Sequence, residues 1–70
     1  MLRAGIGDVK QDEEALVGHL MFVATQVARE QGLGDDGYRL VINEGTNGQQ
    51  SVRWLHIHLL GGRKLTWPPG

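Results

Sequence analysis

The chain has 70 residues, 40% of them hydrophobic, with seven Lys and Arg against eight Asp and Glu for a formal net charge of −1. That balance leaves no basic stripe for nucleic acid, no apolar run approaches the roughly 20 residues that span a bilayer, and the absence of cysteine removes any disulfide staple. A chain this short, with neither staple nor structural metal, builds little core of its own, which points to association with another chain.

Residues 1–11 have glycine at positions 5 and 7 and no sustained hydrophobic period, and are read as a flexible leader. Their beginning, Met1-Leu2-Arg3-Ala4-Gly5, hints at a targeting start, but Asp8 and the acidic Asp12-Glu13-Glu14 suit neither a signal peptide nor a transit peptide. Over residues 13–31, Leu16, Leu20, Val23 and Val27 recur at helical spacing, flanked by Val17, Met21, Ala24 and Ala28. This predicts one amphipathic helix with a broad apolar face. Asp12, Glu13 and Glu14 complement the positive end of its dipole, Arg29 complements the other end, and Gly32 can take the left-handed stop. His19, alone on this helix, is assigned to packing or surface.

After the turn Gly34-Asp35-Asp36-Gly37, residues 38–42 read as a strand, 43–50 as a polar loop with a hairpin-type turn at Asn47-Gly48, and 51–60 as a second strand. The unbroken run Leu40-Val41-Ile42 predicts burial on both faces, which one helix and two strands do not supply alone. Alternation along the second strand puts Val52, Trp54, His56, His58 and Leu60 on one face, with Arg53, Leu55, Ile57 and Leu59 on the other. Two imidazoles then stand side by side. The loop before them, Asn43-Glu44-Gly45-Thr46-Asn47-Gly48-Gln49-Gln50-Ser51, can aim backbone N–H groups and short side chains at an anion, so the pair reads as a phosphate-chemistry site. His56 and His58 also have a workable spacing for a metal. With no cysteine, and the carboxylates distant in sequence, no metal or other cofactor is expected. The fold class is α+β, a helix followed by two antiparallel strands.

Five segments, Gly18-His19-Leu20, Gly37-Tyr38-Arg39-Leu40-Val41-Ile42-Asn43-Glu44-Gly45, Gln50-Ser51-Val52, Leu55-His56-Ile57-His58-Leu59-Leu60-Gly61-Gly62-Arg63 and Trp67-Pro68-Pro69-Gly70, carry a resemblance. In this order they are similar to the C-terminal half of a histidine-triad (HIT) nucleotide-binding protein, of the Hint branch that hydrolyses purine nucleoside phosphoramidates. Residues 12–70 are thereby expected to form that half-domain, lacking the N-terminal half. The wording of the strands is closest to the mitochondrial member, which leaves mitochondrion and cytoplasm both open. Two positions depart from the family pattern. Where it writes His-x-His-x-His this chain has Trp54-Leu55-His56-Ile57-His58, and Gln49 replaces what is usually a small residue.

The resemblance implies that His56 is the nucleophile that attacks the α-phosphorus and forms a nucleotidyl-histidine, that His58 donates a hydrogen bond near the phosphate, and that Ser51 assists the leaving group. Asn43, Gln49, Gln50 and Ser51 would line the ribose and phosphate of AMP or an adenosine phosphoramidate. Family members are dimers in which the segment of Trp67 approaches the neighbouring subunit's site, so a homodimer, or a heterodimer with an intact HIT protein, is implied. Trp54 brings a single N–H donor and no acceptor in place of the leading histidine, which implies impaired activity. The alternative is a non-catalytic, truncated or degenerate HIT fragment that pairs with itself or with a full-length relative.

Overall fold

The computed structural model describes residues 4–70. Its helix α1, Glu14–Glu30, grows out of a short 3-10 turn at Gln11–Glu13. There the backbone N–H of Lys10 donates to Glu13 Oε1 at 3.0 Å, so one of the three acidic residues expected to flank the helix start is a buried capping group instead of a solvated charge. The far end closes as predicted. Gly32, at φ +76°, donates to the Arg29 carbonyl at 3.0 Å, and Leu33 donates to the Ala28 carbonyl at 2.9 Å. These two bonds are the Schellman pair that satisfies the last carbonyls of a helix. They also turn Leu33 toward the sheet, where a Cβ on Gly61 would lie 2.9 Å from Leu33 Cδ1. The end of the helix therefore rests on the end of the second strand because Gly61 has no side chain.

The two strands, β1 (Tyr38–Val41) and β2 (His58–Gly61), pair antiparallel, with Tyr38 opposite Gly61 and Val41 opposite His58. The second strand expected over 51–60 is thus much shorter, and the first stops one residue early. A strand needs a neighbour to accept and donate its ladder bonds. Because β1 turns away after Val41, residues 51–57 have no strand to pair with, and the strict alternation of faces holds only from His58 onward.

Burial is shallow throughout. Ala28 is the one buried apolar residue among the described residues, and no large side chain there is fully buried. Leu40, Val41 and Ile42 are half-buried, while Met21, Phe22, Val23 and Val27 of the helix stay exposed, Phe22 at 61%. The stretch read as a leader is anchored in the structure. A 3-10 turn at Ile6–Asp8 lies against the 43–50 loop, with Gln50 Nε2 donating to the Ala4 carbonyl at 2.6 Å and the Gly7 N–H reaching Glu44 Oε1 at 3.4 Å. The targeting-like start at residues 1–3 lies outside the described residues. No helix among the described residues is long and apolar enough to cross a membrane.

Replacing Gly32 by Ala puts a Cβ into a left-handed residue and is expected to lower stability by about 1–2 kcal/mol. Gly34→Ala, at a position with nothing near the added Cβ, serves as the control and is expected within about 0.5 kcal/mol of the parent. Urea denaturation followed by helical ellipticity separates the two.

Candidate functional site

The polar loop is built as a closed ring by its own side chains. Asn43 Nδ2 donates to the Gly48 carbonyl at 2.5 Å, the Gly45 N–H donates to Gln50 Oε1 at 2.8 Å, and the Gln50 N–H returns to the Gly45 carbonyl at 3.0 Å. Gly48 is required by this closure, since a Cβ there would meet the Glu44 backbone nitrogen at 2.7 Å. Gln49, at φ +60°, is the non-glycine residue that the ring forces into the left-handed region. Such a conformation costs about 1–2 kcal/mol for an L-residue, which explains why a small residue is the easier occupant.

Gln50 is the hub of the ring. Its amide nitrogen donates to the Ala4 carbonyl and also to the Val52 carbonyl at 3.1 Å, while its oxygen holds Gly45. Both donors of the carboxamide are occupied by the chain itself, so in this state Gln50 shapes the cradle and ties the 4–11 segment to it. Beside the ring lies a polar depression of about 460 Å³, lined among others by Gly5, Asp8, Glu44, Thr46, Gln50 and Arg53.

The histidine pair stands at the entry to β2. His56 is half-buried, His58 is exposed, and their rings meet edge-on with centroids 4.8 Å apart and planes at 76°. The expected adjacency is therefore present, although His56 itself lies outside the strand. His56 Nδ1 contacts the Trp54 backbone carbonyl at 2.6 Å. A carbonyl oxygen only accepts, so Nδ1 carries the proton, and in the neutral ring Nε2 is left with its lone pair. The group that sets this tautomer is the backbone of residue 54, whatever its side chain. The Trp54 indole itself is 52% exposed.

The sequence-predicted residues are thus gathered in two clusters. Asn43, Gly48, Gln49 and Gln50 form the ring, and His56 and His58 form the pair. His56 borders an apolar cleft of about 240 Å³ next to α1, and the depression beside the ring is a separate one. Ser51 is exposed on the segment between them. Trp67 is 79% exposed, and the tail that bears it is held by a residue sequence reasoning passed over. Arg39 of β1 donates from Nη2 to the Thr66 carbonyl at 2.8 Å and stacks its guanidinium 5.7 Å from the Trp67 ring centre. Glu44 was likewise missed. Its carboxylate packs so closely on Gly5 that a Cβ there would collide with it. The glycines of the leader were the available signal, since closely spaced glycines often mark an approach of other groups to the backbone.

A family model described as HIT domain matches residues 1–65. The chain is 48% identical over 66 residues to the 14 kDa zinc-binding protein of Zea mays, aligning 94% of this chain with 51% of that protein. It is 56% identical over 63 residues to protein pkiA of Dictyostelium discoideum, aligning 90% of this chain with 47% of that protein. Among solved structures, a HIT family hydrolase from Legionella pneumophila Philadelphia 1 superposes with a TM-score of 0.95 at 44% identity, over 100% of this chain and 62% of that one. The chain spans about half the length of these curated relatives.

The tautomer of His56 is open to direct measurement. Long-range proton–nitrogen correlation spectra of the neutral ring are expected to give a protonated Nδ1 and a pyridine-like Nε2, both unchanged in Trp54→His because the acceptor is the main chain. A His56 ring protonated at Nε2 would contradict the assignment.

Proposed function

Because the chain belongs to the HIT domain family, we propose that its histidine site descends from, and carries the parts of, a purine nucleoside phosphoramidase of the Hint branch. In this reading Nε2 of His56 attacks the α-phosphorus of an adenosine 5′-phosphoramidate. The phosphorus–nitrogen bond breaks, the departing amine takes a proton from solvent relayed by the Ser51 hydroxyl, and the adenylyl group stays bonded to Nε2 of His56. Water then attacks the same phosphorus, releasing AMP and restoring the imidazole. His58 donates to a phosphate oxygen as charge develops there, and the backbone N–H groups of the 43–50 loop, which Asn43 and Gln50 shape, hold phosphate and ribose oxygens beside Gln49.

The observation that supports this most is the Nδ1 contact of His56 with the Trp54 carbonyl. Nucleophilic attack needs a neutral imidazole whose free nitrogen is known in advance, and this bond leaves Nε2 in that state. Substitution of the leading histidine by Trp54 takes away one imidazole without removing that bond, so the expected damage is to the surroundings of the phosphate and not to the tautomer. Gln50 and Asn43 contribute by stiffening the ring whose backbone faces the ligand. Zinc, which the maize relative bears in its name, is not carried over. Among the described residues no group of three or more His, Cys, Asp or Glu side chains lies together, and zinc sites take three or four protein ligands.

A second reading, a non-catalytic HIT fragment that works by pairing with itself or with a full-length relative, is favoured by the burial pattern. No large side chain among the described residues is fully buried, and Phe22, Val23 and Val27 face solvent. Large apolar side chains left exposed together on one helix suit a surface that a partner covers. The two readings are compatible, since pairing leaves the His56 tautomer unchanged.

Incubation with adenosine 5′-phosphoramidate, alone and with an intact HIT relative made inactive at its own nucleophile, tests the catalytic reading. Expected are AMP release and an adenylyl adduct on His56 found by peptide mass, both lost in His56→Ala with a fall in rate of about 10⁴-fold or more. Turnover that survives His56→Ala would refute it. Trp54→His is expected to raise the rate, and an unchanged rate would put the deficit outside position 54.

A further inference from the structure

Asp36-Gly37 and Asn47-Gly48 each place a glycine after a residue whose side-chain carbonyl the next main-chain nitrogen can attack. With no side chain on the glycine, that nitrogen can swing onto the carbonyl and close a five-membered imide. The fold treats the two pairs differently. The Gly37 N–H donates to the Leu33 carbonyl at 2.9 Å in the turn behind α1, and Gly37 is held at φ +96°. Its nitrogen is committed. Asn47 and Gly48 instead occupy the two central positions of a turn that the Gln49 N–H closes on the Thr46 carbonyl at 3.0 Å. The closing bond belongs to the residue after the central pair, so the Gly48 N–H is left over, and it has no acceptor among the described residues.

The amide that this nitrogen would attack is equally unrestrained. Asn47 is exposed, and its carboxamide makes no hydrogen bond among the described residues. The other asparagine, Asn43, is half-buried, is held through Nδ2 on the Gly48 carbonyl, and precedes Glu44, which has a side chain. Nor can the ring shed its glycine. A Cβ at position 48 would meet the Glu44 nitrogen at 2.7 Å, so the closure that shapes the loop also keeps an uncovered nitrogen beside Asn47.

We propose that Asn47 is a site of spontaneous deamidation that remodels the 43–50 ring. The Gly48 nitrogen loses its proton to solvent base and bonds to Asn47 Cγ, the C–N bond of the carboxamide breaks, and ammonia leaves after taking a proton from water. Water then opens the imide. Attack at Cγ gives aspartate, and attack at the main-chain carbonyl carbon gives isoaspartate, whose backbone runs through Cβ and Cγ. Water is consumed and ammonia released, with no redox partner. Either product adds a carboxylate to the loop, and isoaspartate also lengthens the Thr46–Gln49 turn by a methylene, displacing the bonds from the Gln49 and Gln50 N–H groups. The modification needs no nucleotide. Its effect on an anion rests on the reading that this loop holds phosphate.

The test ages the full 70-residue chain at neutral and mildly alkaline pH and follows each site by peptide mass and by labelling with protein isoaspartate methyltransferase. Asn47 is expected to convert at least about tenfold faster than Asn43. Asn47→Gln, whose longer side chain must close a larger ring, is expected to lose the label at this position. In urea, which frees Gly37 from Leu33, isoaspartate at residue 36 is expected to rise at least about tenfold, while that at residue 47 changes less than about threefold. In the converted chain the Gln49 and Gln50 amides are expected to exchange at least about tenfold faster, and AMP affinity to fall at least about threefold. Conversion of Asn47 no faster than that of Asn43 overturns the proposal, and equal conversion at residues 36 and 47 of the folded chain overturns its structural basis. Unchanged exchange of Gln49 and Gln50 after conversion overturns the effect on the ring. Failure of the unaged chain to bind AMP counts against the phosphate reading alone, because mass, label and exchange are read without nucleotide.

Discussion

Four residue pairs, from Tyr38 opposite Gly61 to Val41 opposite His58, hold the two halves of this chain together. The ladder brings residues far apart in sequence side by side, and much of the remaining architecture is arranged around its ends. At the Gly61 end, Leu33 comes off the Schellman stop of α1 and rests where a side chain would otherwise stand. At the Val41 end both strands give out. The chain between them must close on itself, which it does through the Asn43 and Gln50 side chains, and it re-enters the ladder at His58, two residues after His56. A histidine at the mouth of a strand, with its backbone released from pairing, is free to fold its ring back on the carbonyl of residue 54.

The chemistry at this site is consequently oriented by main chain. The acceptor for His56 Nδ1 is a backbone oxygen, and the ring of residues 43–50 is closed by backbone groups that meet two carboxamides. Side-chain exchange at position 54 leaves such an arrangement in place, because every residue brings a carbonyl. Exchange at position 49 is less neutral. A left-handed residue with a Cβ stores strain, here next to the groups that would face a phosphate.

Shallow burial is the other side of the same economy. Among the described residues apolar burial is complete only at Ala28, and Leu33 rests on the Gly61 end of β2. Val23 and Val27 are held at helical spacing and stay 39% and 40% exposed, and among the described residues the sheet has two strands only.

Beside the resemblance that five segments carry to the histidine-triad family, the sequence by itself determined the helix and its left-handed stop at Gly32, the order of the strands and the placing of a polar loop before the histidines. These rest on local periodicity and on glycine at positions that need it, so a short window of residues carries the information. The length of β2, the anchoring of residues 4–11 to Gln50, the capping role of Glu13 and the hold of Arg39 on the tail of Trp67 were settled only in the folded chain. Each depends on where another segment stops or passes. Residues 51–57 have strand composition but no neighbour to bond. Gln50 looks like a ligand-binding amide until the Ala4 carbonyl, 46 residues away in sequence, accepts a hydrogen bond from it. Contacts of that reach are a property of the tertiary structure, because the free energy that selects them lies in groups that periodicity and composition do not bring together.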